Sequence, residues 1–207
     1  MHVAEGALSG QVIVAGAVLA AAGVAVGLKK MDYERIPQVA VLSAAFFVAS
    51  LIHVPIGPTS AHLILNGLTG VILGWAAFPA LLVALFLQAI LFGFGGVTAL
   101  GVNTLIMAFP GVVCYYLFNK PIRTGKNGTV FVIGFITGAL GIVLGAIILG
   151  LALLASTGEF LGVVKMVFIA HIPVMVIEGF VTGAIVTFLR KVRPELLQAP
   201  MGEKAYA

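Results

Sequence analysis

Apolar residues dominate long runs in this chain, and most polar positions fall in the gaps between them. A helix that crosses a bilayer needs about 20 mostly apolar residues. Runs of that kind extend from Ala7 to Leu28, Pro37 to Ile52, Ala61 to Trp75, Pro79 to Phe92, Val97 to Phe118, Val130 to Leu154 and Val164 to Leu189. The third and fourth are short, so they are expected to tilt, to be partly re-entrant or to bury among their neighbours. The pattern predicts an all-α integral membrane protein with seven transmembrane helices. Within the runs, Ala17, Ala21 and Ala25 recur every fourth residue, and Gly134, Gly138, Gly141 and Gly145 lie close to one stripe. Small residues at this spacing let membrane helices approach closely, either inside the protein or against a partner.

Composition agrees with the pattern. The chain is 61% hydrophobic and 9% charged, against about 25% charged residues in soluble domains. With 207 residues it has room for one membrane domain, residues 1–193, followed by a polar tail at 194–207 that is expected to be mobile. A separate soluble enzyme domain is excluded by length. Cys114 is the only cysteine, which rules out a disulfide within the chain and a cysteine metal cluster.

Charge placement orients the helices. Lys29, Lys30 and Arg35 follow the first run, Lys120, Arg123 and Lys126 the fifth, and Arg190, Lys191 and Arg193 the seventh. With Lys204 in the tail, ten of the eleven basic residues then share one side, and Lys165 alone lies opposite. Basic residues mark the cytoplasmic face, so the N-terminus is expected outside and the C-terminus in the cytoplasm. The net charge of +4 is explained by this placement and does not point to nucleic acid. No basic stretch precedes the first apolar run and no convincing cleavage site follows it, so Met1 is expected to be the mature start.

Polar residues inside a membrane are costly and mark candidate sites. His2 and Glu5 sit at the outer end, with His53, Thr59, Ser60, His62 and Asn66 around the second-to-third connection. Gln88, Asn103, His171 and Glu178 follow. In the expected topology the Met1 end and the His53–His62 segment share the outer side. With a free Met1 amine, that amine and the His2 amide nitrogen close a five-membered chelate ring, and the amide with the His2 imidazole closes a six-membered one. A further imidazole completes a square of nitrogens, a geometry that suits Ni(II) or Cu(II). His62 is the best fourth ligand. Pro55, Gly57 and Pro58 force a turn before it, and Thr59 or Ser60 is expected to cap a helix with His62 in its first turn. A histidine hydrogen-bonded within a packed loop is the plainer reading of His62, and an interfacial histidine that of His53. His171 and Glu178 are seven residues apart on one helical face. They suit a structural hydrogen bond first, then a metal site or a proton relay.

Met1-His2-Val3-Ala4-Glu5-Gly6, Gly57-Pro58-Thr59-Ser60-Ala61-His62-Leu63, Gln88-Ala89 with Gly95-Gly96-Val97-Thr98-Ala99-Leu100-Gly101-Val102-Asn103, and Ile172-Pro173 with Glu178-Gly179 occur in that order. Together they resemble the CbiM/NikM substrate-binding subunits of energy-coupling-factor (ECF) transporters for cobalt and nickel, over most of the chain. The resemblance implies Ni2+ or Co2+ as the transported substrate, with no organic cofactor. It implies ligation by the Met1 amine, the His2 amide and imidazole nitrogens and His62, with the segment 1–6 inserted into the site from outside. Glu5, Ser60 and Asn103 become candidates for support around the ligands, and His53, His171 and Glu178 remain further polar candidates. Phe94 stands where many cobalt-type members carry a histidine, and those members often expose Met-His by cleaving a leader. The implied partners are an ECF membrane scaffold subunit, cytoplasmic ATPase subunits and a small accessory membrane subunit, in a bacterial or archaeal cell membrane. The chain has no G-x-x-x-x-G-K-[ST] phosphate loop of its own. Two other classes compete: a proton-coupled secondary transporter and an intramembrane enzyme, each using His171 and Glu178. Neither H-E-x-x-H nor G-x-S-x-G occurs.

Overall fold

In the computed structural model, residues 2–51, 53–56, 59–157 and 161–198 are described. Among them the apolar runs become α1 (Gly10–Lys30), α2 (Ile36–Ala49), α3 (Asn66–Leu73), α4 (Ala77–Phe92), α5 (Leu100–Thr124), α6 (Asn127–Thr157) and α7 (Leu161–Val192). Short 3-10 turns lie at Tyr33–Arg35, Gly74–Ala76 and Pro194–Leu197. Five segments are long and apolar enough to cross a bilayer: Gly10–Lys30, Asn66–Phe92, Leu100–Thr124, Gly128–Ser156 and Lys165–Val192. α2, with 14 residues, extends about 21 Å, short of a hydrocarbon core of about 30 Å. The surface carries large apolar side chains in the open, including Ile169 at 68% and Val41 at 67% exposure. A surface of that kind belongs against lipid.

The region before α3 departs from the expected helix. His53–Ile56 (β1) and Thr59–His62 (β2) form an antiparallel hairpin in which His53 faces His62 and Ile56 faces Thr59. Thr59 and Ser60 are therefore strand residues rather than helix caps, and His62 ends a strand rather than opening a helix. The physical reason lies in a proline. Pro55 has no N–H to give a helix. α3 starts only at Asn66, after Leu65 has taken a left-handed conformation (φ 54°).

Glycines set the helix spacing, as small residues do in membrane bundles. α1 buries Gly16, Ala20, Gly23 and Gly27. A Cβ at those glycines would meet Val102, Phe78, and Trp75 with Pro79. The Ala17, Ala21 and Ala25 stripe faces outward instead. α3 is buried at all eight positions, with Gly70 against Gly111 of α5 and Gly67 against Thr137 of α6. α6 and α7 run antiparallel: Gly134 meets Gly183 and Val186, while Gly138 meets Glu178 and Thr182.

The start of the tail is docked, contrary to expectation. Leu197 is buried. Arg35 donates to the carbonyls of Leu196 and Gln198, and Gln38 also donates to Leu196. Asn119 of α5 donates to both Leu197 O at 3.1 Å and Val71 O at 2.8 Å. Residues 199–207 lie outside the described residues.

Candidate metal centre

The first residues of the chain are held by the loop between α4 and α5. α4 stops at Gly93, and Gly93, Gly95 and Gly96 all take positive φ (68°, 72° and 71°). Only glycine adopts such angles at little cost. Glycine is also needed for space: a Cβ at Gly95 would strike the Asn103 carboxamide and touch His2 and Val3, and one at Gly96 would strike Glu5. Against this glycine floor, Val3 N–H donates to Asn103 Oδ1 at 2.8 Å, and Asn103 Nδ2 donates to Val3 O at 3.2 Å. Glu5 Oε1 accepts from the Thr98 N–H at 3.1 Å and the Thr98 hydroxyl at 3.2 Å. Those bonds, led by the Thr98 backbone, hold the exposed Glu5 carboxyl below its ordinary range.

This grip delivers His2 to His62. Both histidines are buried, and their rings stack at 4.6 Å between centroids with 26° between planes. Phe94 closes one side, its ring centroid 6.2 Å from that of His2. His62 Nδ1 lies 2.8 Å from Leu63 O. A carbonyl only accepts, so Nδ1 carries the proton and the Nε2 lone pair is left available. Nε2 is buried and has no hydrogen-bond partner. β2 lies outside the membrane-spanning helices. Burial, with the nearby His2 adding to it, holds His62 well below the ordinary histidine range. A neutral imidazole with its second nitrogen anchored on a carbonyl is the form that binds metals.

Glu178 of α7 supports the same loop. Its Oε1 accepts the N–H groups of Ile64 and Leu65, the latter at 2.7 Å. Asn66 ties the start of α3 to α6 through Gly141 O at 3.0 Å. The structure thus brings together His2, His62, Asn103 and Glu178. It does not join His171 to Glu178: His171 Nδ1 bonds to Val167 O at 2.7 Å, one turn back on its own helix. Glu5 is held on the rim by Thr98 and does not touch the histidines in any described contact. His53 and Ser60 lie in the hairpin, and their side chains are outside what is described, as is Met1. Sequence reading did not single out Thr98 as a partner for Glu5 or the Leu63 carbonyl as the orienter of His62. A lone hydroxyl in a glycine-rich loop was the available signal for Thr98, and a main-chain carbonyl gives none.

Among the described residues no group of three or more His, Cys, Asp or Glu converges on one point. Among these residues the two imidazoles of His2 and His62 are the side chains that lie together.

The model of the cobalt uptake substrate-specific transmembrane region, CbiM, matches residues 2–196. A Haemophilus influenzae protein named for metal transport is 43% identical over 201 residues, covering 95% of this chain and 97% of that protein. The fused nickel transport protein NikMN of Rhodobacter capsulatus is 44% identical over 120 residues, 54% of this chain and 34% of that longer protein. A crystal structure of a transition metal transporter superposes with a TM-score of 0.82 at 31% identity, covering 93% of each chain.

Proposed function

The chain belongs to the CbiM family of cobalt and nickel transport components, and on that premise we propose that it captures Ni2+ or Co2+ through nitrogens of its own beginning and His62. It is a multi-pass membrane protein and a transport component rather than an enzyme. The carrying observation is His62 Nε2, buried without a hydrogen-bond partner beside the His2 ring. The donors proposed are the Met1 amine, the His2 amide nitrogen, the His2 imidazole and His62 Nε2. The amine gives up a proton from a reference pKa of about 7.7–8.0 and the amide ionises under the ion's influence. Capture therefore releases protons and weakens in acid. Asn103 fixes Val3, and through it the His2 amide, while the Leu63 carbonyl fixes the ring of His62.

The partners proposed are those of an ECF-type transporter: a membrane scaffold, cytoplasmic ATPases and a small accessory subunit. The exposed Ala17, Ala21 and Ala25 stripe of α1 supports close approach of a partner helix. Seven crossings, with the amino terminus outside and the carboxyl end in the cytoplasm of a bacterial or archaeal cell, are supported by the basic residues near the ends of α1, α5 and α7. In that arrangement α2 crosses as a short segment, and α3 and α4 cross separately, joined at the Gly74–Ala76 turn.

Calorimetry with Ni2+ on the purified protein and on a form with one glycine added before Met1 tests the ligand set. The extension turns the terminal amine into an amide, and nickel binding is expected to be lost. Equal affinity of the two forms overturns the reading.

A further inference from the structure

Glu178 is fully buried in an apolar helix, yet its carboxylate has an unusual set of partners. One oxygen accepts the Ile64 and Leu65 N–H groups, and the other, Oε2, is buried with no hydrogen-bond partner. Among the described residues the ion pair is Arg193 with Glu195 at the surface, and no basic side chain pairs with Glu178. An ionised carboxylate held inside a membrane protein is costly unless a positive charge answers it. A glutamine could hold the two N–H groups through its carbonyl oxygen at no such cost. Loop anchoring alone therefore does not account for a carboxylate here.

The geometry points to Glu178 as the positioning residue and the counter-charge of the bound ion. This rests on the ligand set proposed above. A divalent ion carries +2, the ionised His2 amide contributes −1, and the amine and the two imidazoles are neutral. The complex therefore keeps +1, in a site whose histidines are buried. Glu178 anchors the residues two and three places after His62. Its charge brings the sum to zero, and burial leaves that interaction little screened by water. One side chain thus sets the position of His62 and makes the filled site electrically neutral.

Glu178→Gln separates the two roles, since glutamine keeps an acceptor for the loop and loses the charge. Nickel calorimetry on the purified full chain is expected to give an affinity about tenfold to hundredfold weaker. The ligand-field absorption of the nickel complex is expected to be unchanged, because the four nitrogens remain. Melting of the metal-free protein is expected to be unchanged or raised. Glu178→Asp keeps the charge on a shorter side chain and is expected to bind nickel more tightly than Glu178→Gln. An affinity for Glu178→Gln within threefold of the native protein overturns the proposal, as does tighter binding by Glu178→Gln than by Glu178→Asp. The glycine-extended form keeps the two readings apart. Native affinity there removes the amide-ligated complex, and the counter-charge with it. Lost affinity there together with native affinity in Glu178→Gln overturns the counter-charge alone.

Discussion

Asn103 pairs with the backbone of Val3 on both sides, accepting its N–H at 2.8 Å and donating to its carbonyl at 3.2 Å. A side-chain amide here does what a neighbouring strand would do, and it holds the residue next to His2. Asn103→Ala leaves a buried N–H and a buried carbonyl unpaired, each costing about 1–3 kcal/mol. Nickel affinity is expected to fall at least about tenfold, since 1.4 kcal/mol is a factor of ten. Asn103→Asp keeps the acceptor and is expected to fall between Asn103→Ala and the native protein. Calorimetry on the three proteins checks the order; native affinity in Asn103→Ala would show that Val3 needs no clamp.

Gly93 and Gly95 share a positive φ but differ in surroundings. A Cβ at Gly93 meets nothing within 4 Å, whereas one at Gly95 runs into the Asn103 carboxamide and touches His2. Gly93→Ala should cost only the backbone strain, about 1–2 kcal/mol, and leave metal binding near native. Gly95→Ala carries the same strain and also breaks the Asn103–Val3 pair, so binding is expected to collapse. Thermal unfolding and nickel titration of the two variants measure the difference, and equal binding by both would deny Gly95 its role as the floor of the site.

His62 predicts a pH dependence of known sign. Its folded pKa is depressed, by burial first, while in the unfolded chain it titrates near 6.5. Below about 6.5 the unfolded chain takes up a proton that the folded one refuses. The stability contributed by His62 is therefore present above that pH and is lost as pH falls through the folded pKa. Melting of the metal-free protein between about pH 7.5 and 5.5 should decline more in the native protein than in His62→Gln. Parallel curves would mean that the ring is solvated in the folded state.

The helices were readable because hydropathy alone marks them. The hairpin was not, because Pro55, Gly57 and Pro58 mark a turn without saying whether a helix or a strand follows it, and Ala61 to Trp75 reads as one apolar run. His2 and His62 could be paired from their expected common side, the chelating order of donors and the resemblance to the CbiM/NikM family. The work of Glu178 could not, since its partners are main-chain N–H groups 113 and 114 residues away. A carboxylate that binds backbone leaves no complementary residue type to find. The same holds for the tail, whose anchors Arg35, Gln38 and Asn119 all grip carbonyl oxygens.

That tail yields the last prediction. α5 carries Asn103, which holds Val3, and sixteen residues later Asn119, which holds Leu197, a separation of about 24 Å along the helix. Leu197 is 1% exposed, so Leu197→Ala opens a buried space and should cost about 2–5 kcal/mol of stability. Arg35→Met removes the two bonds to the tail carbonyls and acts on the same contact, so the double variant should lose less than the sum of the single losses. Nickel affinity of the folded protein should stay native in all three, because the proposed metal centre lies at the other end of α5. Thermal unfolding with and without nickel tests both parts. Full additivity would mean that Arg35 and Leu197 do not act through one docked segment, and weakened nickel binding would mean that the two ends of the bundle are coupled.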